Sequence, residues 1–327
     1  QSGASSPMFH YLCLIMGEFE LIAQIQQLAQ GLPTNGFEGI GDDCAVLEIG
    51  GGEALGFTAD ALCEGVHFLR EAISARALGE KALAVNLSDV ASMGVRPVAV
   101  LLSLSLPEGL PAGWVEELME GFTELAHRHD VALIGGDTTR SQSGVVLNIT
   151  AIGRGKTSHL KRRSAAREGD IVLVSDRLGA SSAGLRDVLQ GNPHTQLAHI
   201  HHHPIAEIKA GQWLGAREEV HAMMDLSDGL ASDLKHILKA SAVGAEVEMC
   251  DIPVAEGATL HDALTGGEDY KLLLTADQAM SEQLMRDFEA TFHRPLYPIG
   301  HITAAKELVW LEKGVPTTQD LVGFRHF

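Results

Sequence analysis

The chain has 327 residues, 45% of them hydrophobic and 20% charged, which is globular composition with core enough for two domains rather than one. A formal net charge of −19 repels phosphate backbones, so nucleic acid is not expected as a partner, and any phosphate chemistry here must neutralise its substrate, for which bound divalent cations are one answer. No run approaches the roughly 18 uninterrupted apolar residues of a membrane span, and no basic region with a small-residue cleavage site opens the chain.

Residues 1–16 read as a tag remnant or disordered leader, with Met16 near the natural start. A helix is expected over 20–29, where Leu21, Ile22, Ile25, Leu28 and Ala29 share one side. Short strands follow at 44–49 and 54–58, split by Gly50, Gly51 and Gly52. A long helix is expected over 74–93, with Ser74 as N-cap and Gly94 just past its end. Then come a strand at 97–106, a helix at 114–129, and strands at 131–134 and 145–152. A basic, turn-rich stretch at 153–170 reads as the linker between an N-terminal domain (17–153) and a C-terminal domain (154–327). The second half alternates again: strands at 171–175, 220–224, 270–275, 296–299 and 308–311, and helices at 181–189, 204–216, 228–240 and 278–292. This alternation predicts an α/β (α+β) architecture. Cys13, Cys44, Cys63 and Cys250 are far apart and form no C-x-x-C pair, so a reducing, cytoplasmic compartment without structural zinc is expected.

Aspartates recur where an apolar run or a glycine turn ends: Asp42 and Asp43, Asp60, Asp89, Asp137, Asp225 and Asp228, with Glu268 and Asp269 further on. Any one of them can serve as a helix cap or turn residue, Asp42 above all. As a set they fit that role less well, because caps accept Ser, Thr or Asn equally. Crowded carboxylates repel one another, and Mg²⁺, which takes oxygen ligands and bridges carboxylates to phosphates, removes that penalty. Asp89 is the sharpest case: helical spacing sets it beside Val85 and Met93, on a face with Leu78 and Ala82, where a carboxylate is costly unless paired or metal-bound. The Gly155-Lys156-Thr157 stretch resembles the end of a phosphate-binding loop, but Thr150 stands where that loop needs its first glycine. His199, His201, His202 and His203 lack the spacing of a helical metal pair and read as a solvated loop.

The segments GIGDDCA (39–45), KALAVNLSDVASMG (81–94), LIGGDTTR (133–140), DLSDGLASDL (225–234) and GGEDY (266–270), in this order, resemble the thiamine-monophosphate kinase family over essentially the whole chain. The resemblance implies an aminoimidazole-ribonucleotide-synthetase-like fold of two domains and a homodimer whose N-terminal sheets pair. It also implies a cleft that takes ATP, several Mg²⁺ ions and thiamine monophosphate. Carried over position by position, the metal ligands are Asp43, Thr58, Asp60, Asp89, Asp137, Asp225 and Asp228, with Asp60, Asp89 and Asp137 central to catalysis. ATP contacts fall on Gly136, Asp137, Arg163 and Ser227, and substrate contacts on His67, Glu268 and Phe324. Two positions depart from the family: Ala59 stands where relatives often carry a hydroxyl, and Leu321 and Phe324 where relatives often carry Trp or Tyr. The implied reaction is in-line phosphoryl transfer from ATP to the phosphate of thiamine monophosphate, the last step of thiamine diphosphate synthesis. Besides a P-loop kinase, which Thr150 opposes, two other readings are another ATP-using synthetase of the same superfamily and a non-catalytic acidic cation-binding protein. Against the first, no reactive Cys–Lys glycine-rich segment opens the chain and Phe327, not Cys, ends it. Against the second, there is no EF-hand loop, and GGEDY and Arg163 go unexplained.

Overall fold

The computed structural model describes residues 17–317, Leu321 and Gly323; residues 1–16 and Phe324 lie outside it. Two sheets organise these residues. The first carries β1 (Phe37–Glu38), β2 (Ala45–Gly50), β3 (Glu53–Cys63), β4 (Arg96–Leu106), β5 (Ala132–Arg140) and β6 (Val146–Lys156), in the order β1-β2-β3-β6-β4-β5. Helix α1 (Glu18–Ala29) precedes this sheet, and α2 (Ala75–Ser92) and α3 (Trp114–Arg128) follow β3 and β4. The alternating burial of β3 and β6 turns one face toward α2, where Leu62, Ile149, Leu102, Leu78 and Leu118 join one core.

Helix α2 is buried along nearly its whole length, which explains why its apolar residues do not fall on one side. Ser74 caps it by accepting the Ala77 amide at 3.1 Å, and Gly94, at φ 77°, ends it as its sequence predicts.

The second sheet carries β7 (Ile171–Val174), β8 (Val220–Asp225), β9 (Gly244–Glu248), β10 (Leu272–Ala276), β11 (Tyr297–Thr303), β12 (Leu308–Glu312) and β13 (Val315–Pro316), in the order β13-β12-β9-β11-β7-β10-β8. Its helices are α4 (Ala180–Leu189), α5 (Gln196–His202), α6 (Ile208–Gly215), α7 (Leu230–Ser241), α8 (Leu260–Thr265) and α9 (Ser281–Phe292). All four residues of β7 are buried: Val172 and Val174 enter a core with Leu234 and Ile237 of α7, Ile171 and Leu173 one with Leu214 of α6 and Phe288 of α9. A strand covered on both faces reads as a continuous apolar run, here Ile-Val-Leu-Val. The two domains meet where α6 crosses α2. A β-carbon on Gly211 would lie 2.1 Å from the Ala91 carbonyl oxygen, so only glycine lets the backbones come this close.

Several segments differ from expectation, among them the helix expected over 204–216, which begins only at Ile208, and the strand Gly244–Glu248, which the sequence does not predict. Strand β3 runs on to Cys63 and β5 to Arg140, so Asp60 and Asp137 lie inside strands, not at their ends. Strand β6 continues through Gly153 to Lys156 because Gly155 and Lys156 still pair with Ala54 and Glu53. The histidines at 199–202 are not a solvated loop. Thr195 caps helix α5 by accepting the Ala198 amide at 3.0 Å, and His201 and His202 are buried.

Candidate active site

A cleft of about 1180 Å³ runs between the two domains. Asp43, Thr58, Asp60, His67 and Asp89 line it from the first domain, and Arg163, Ser227, Asp228, Glu268 and Tyr270 from the second half of the chain. Thr58 and Asp60 are two residues apart on β3 and so share the face that α2 covers. From α2, Asp89 Oδ2 accepts the Thr58 hydroxyl at 2.5 Å, and Asn86 Oδ1 accepts the Asp60 amide at 3.0 Å. One turn before Asp89's neighbour Ser92, Ser88 donates to Asp225 Oδ2 at 2.5 Å, which ties α2 to the end of β8.

Four carboxylates thus converge from four elements. Burial, then the charge of Asp43, pushes the Asp225 carboxyl up to about 8. Burial raises Asp89 well above the carboxylate range, with the charges of Asp60, Asp225 and Asp43 adding to it. Asp60 is raised for the same two reasons, burial and Asp43. The side chain of Asp43 is buried, receives the Ser92 hydroxyl, and pairs with the Arg163 guanidinium, whose Nε donates at 2.9 Å. Asp42 acts as the turn residue its position suggests. Its carboxylate accepts the amides of Asp43 and Arg163, both at 3.1 Å, while burial and then Asp43 push it up to about 7.

The opposite wall is made by two interlocked loops. The Glu268 and Tyr270 amides donate to the Ser227 and Leu226 carbonyls, each at 2.8 Å. Asp233 Oδ2 accepts the amides of Asp228 and Gly229 at 3.1 Å, holding the first loop from below. Asp228, Asp233 and His236 bring one ligand atom each within 4.8 Å of one another. In the second loop, Asp269 accepts the Gly179 amide at 2.6 Å and the Ser181 amide at 3.3 Å. Glu268 then sits at φ 63°, a left-handed conformation that a β-carbon makes unfavourable and that these contacts enforce. Its Oε2 receives the Lys81 ammonium at 2.9 Å, and His67 is among the groups that hold its carboxyl below the usual range against the larger effect of burial. His67 Nδ1 accepts the Cys63 amide at 3.0 Å, which leaves Nε2 to carry the ring proton.

Gly136 and Asp137 are not brought to this cleft within one chain. In the first sheet Asp137 shares a row with Ser103, Asn148 and Ala61, whereas Asp60 stands in the next row with Ile149, Leu102 and Gly136. Adjacent rows face opposite sides of a sheet. Buried Ile149 and Leu102 mark the inner side, so Asp137 points outward, about 14 Å across three strand spacings. Ala59 is exposed on that same outer side. Phe324 lies outside the described residues, although Gly323 lines the cleft beside Asp228 and Ser232. Read from sequence, Lys81 and Tyr270 have no role and His201 is part of a solvated loop. For Lys81 a signal existed: it stands two turns before Asp89 on the same face of α2.

The family AIR synthase related protein matches with its N-terminal domain over residues 41–155 and with its C-terminal domain over residues 167–311. A thiamine-monophosphate kinase of Salmonella typhimurium is 37% identical over 95% of this chain and 98% of its own length. One of Bacillus subtilis is 34% identical over 88% and 93%. Among solved structures, one described as AaThiL complexed with AMPPCP and TMP superposes with a TM-score of 0.82 at 30% identity, covering 95% of this chain and 97% of that one.

Proposed function

This chain belongs to the thiamine-monophosphate kinases of the AIR synthase related family, and from that premise we propose that it transfers the γ-phosphoryl group of ATP to the phosphate of thiamine monophosphate. The observation that carries the reading is the convergence of Asp43, Asp60 and Asp89, with Asp225 buried behind them, on a cleft that Glu268 also lines with its carboxyl held below the usual range. AMPPCP is ATP with a methylene in place of the β–γ bridging oxygen, so the solved relative bound to AMPPCP and TMP supports both substrates.

The donors at the acidic end are hard oxygens of Asp and Thr in a site whose carboxylates repel each other, which is the donor set Mg²⁺ prefers. Asp43, Thr58, Asp60, Asp89, Asp225 and Asp228 would hold it. When bound, Mg²⁺ supplies the positive charge that lets two phosphate anions approach and that steadies the transferring group. The chain's own residues do the rest. Thr58 and Ser88 fix the rotamers of Asp89 and Asp225. Arg163 brings positive charge to the nucleotide side, already oriented by Asp43. Glu268, with its side chain 23% exposed, offers a carboxylate to the cationic ring of thiamine. A phosphate nucleophile is already ionised near neutral pH and needs position rather than a base.

We assign Gly136 and Asp137 to the site of a homodimer. Strand β5 is exposed along its length, and Leu101, Leu133 and Ile134 stand open on it and its neighbour, a surface suited to a second copy's sheet. We place the enzyme in the reducing cytoplasm, in keeping with free thiols at Cys44, Cys63 and Cys250.

Initial rates with thiamine, thiamine monophosphate and pyridoxal phosphate, at saturating ATP and Mg²⁺, test the substrate. Thiamine monophosphate should be used at least about a hundredfold faster than free thiamine, whose alcohol has no positioned base. Equal rates on pyridoxal phosphate would reject the reading. Lys156→Ala should leave the KM for ATP within about twofold, since Lys156 is an exposed strand end beside Glu53 rather than a phosphate ligand. A large loss with unchanged stability would restore the phosphate-loop alternative.

A further inference from the structure

Lys81 is a fully buried lysine, its side chain 0% exposed. A buried ammonium is tolerated only when paired and hydrogen-bonded. Its Nζ donates to Glu268 Oε2 at 2.9 Å and lies 3.4 Å from His201 Nε2. An ammonium has donors only, so His201 Nε2 must accept and the ring proton must sit on Nδ1. That nitrogen is 2.9 Å from Ser181 Oγ and 3.4 Å from Glu268 Oε2. The Ser181 amide in turn reaches Asp269, the residue after Glu268. Burial, and then Lys81, holds His201 down to about 3, so the ring stays neutral and serves as a fixed strut.

The contacts that Lys81 and His201 make with Glu268 both fall on Oε2. The loop backbone is pinned separately through the Glu268 and Tyr270 amides. Glu268 therefore lines the cleft with one carboxylate oxygen held by Lys81 and His201 and its side chain 23% exposed.

We propose that Lys81 and His201 are positioning residues that act through Glu268: they keep its carboxylate ionised and aimed, and thereby set the enzyme's selectivity for a cationic acceptor. The inference rests on the proposed assignment of thiamine monophosphate to this cleft. Lys81 belongs to helix α2 of the first domain, whereas Glu268 belongs to the second, so the pair also fixes the acceptor end of the cleft across the domain junction.

The test uses the full chain with thiamine monophosphate and with an analogue whose charged thiazolium is replaced by neutral thiophene. The parent should prefer the cationic substrate, and its turnover of thiamine monophosphate checks the functional reading independently of the variants. Lys81→Met should raise the KM for thiamine monophosphate roughly 30-fold or more, leave the KM for ATP within about twofold, and erase most of the preference over the neutral analogue. Glu268→Gln should do the same, and the double variant should be no worse than either alone, because both changes remove one interaction. His201→Gln should shift the same KM in the same direction by a smaller factor, and with the charge-neutral double variant it carries the test should Lys81→Met not accumulate as folded protein. Equal rises in both KM values, multiplicative losses in the double variant, or an undiminished preference for the cation would each overturn the proposal.

Discussion

Asp89→Asn is expected to lower turnover by at least about a thousandfold while leaving the protein folded and, in the absence of divalent cations, more heat-stable than the parent. The two effects have one cause. Asp89 stands among Asp60, Asp225 and Asp43, whose charges together with burial drive its carboxyl far above the ordinary range. Asparagine has nearly the same shape and keeps an oxygen for the Thr58 hydroxyl, which donates at 2.5 Å. It removes a buried acid that the folded state holds only at the cost of taking up a proton, and with it the charge proposed to hold Mg²⁺. Turnover measured at saturating ATP and Mg²⁺, beside thermal unfolding in EDTA, separates this from a structural role. A residue that merely caps or braces α2 would lose stability on substitution and keep most of its activity. Asp60→Asn should follow the same pattern, because Asp60 is raised by burial and Asp43 as well.

Without divalent cations the unfolding midpoint should fall as the pH rises from about 6.5 to about 8, and Mg²⁺ should restore most of it at the higher pH. Asp225, pushed up to about 8, and Asp42, pushed up to about 7, keep their protons in the folded state over a range where the unfolded chain has lost them. Asp89 and Asp60 are shifted in the same direction. The folded state then binds more protons, so stability declines with rising pH until these groups ionise. Below about pH 6.5 the buried histidines oppose the trend. His201, at about 3, and His202 and His236, at about 4, stay neutral when folded and take up protons on unfolding, which favours the unfolded state as the pH falls. The window above the histidine range therefore isolates the carboxylates. Differential scanning calorimetry in EDTA, with and without added Mg²⁺, reads the effect directly. A midpoint that is flat or rises across this window would mean that the four carboxylates do not share one repulsive site. Asp225→Asn should flatten the slope, since burial and the charge of Asp43 are what hold the Asp225 proton over this range.

The N-cap at Ser74, the stop at Gly94 and the motif aspartates were legible because they depend on a few neighbouring residues. So was the cost of Asp89, since helical spacing alone reports that it shares a face with Val85 and Met93. Where strands end was less legible. Asp60 and Asp137 look terminal beside glycines and turns, yet pairing with β6 and β4 carries their strands onward. Local propensity yields to a partner that is distant in sequence. The same limit hid the histidines of α5. Four histidines in a polar stretch read as solvated, and only Lys81, Ser181 and Glu268 packing around His201 make it a buried strut. The pair Lys81 and Glu268 is 187 residues apart in the chain. The sequence by itself thus determined the family, the two-part α/β plan and the set of acidic residues. The tertiary structure alone decided that Asp43, Asp60, Asp89 and Asp225 meet, that Asp137 faces outward, and that Lys81 clamps Glu268. Periodicity states which face of its own element a residue occupies; what lies opposite that face is set by long-range packing.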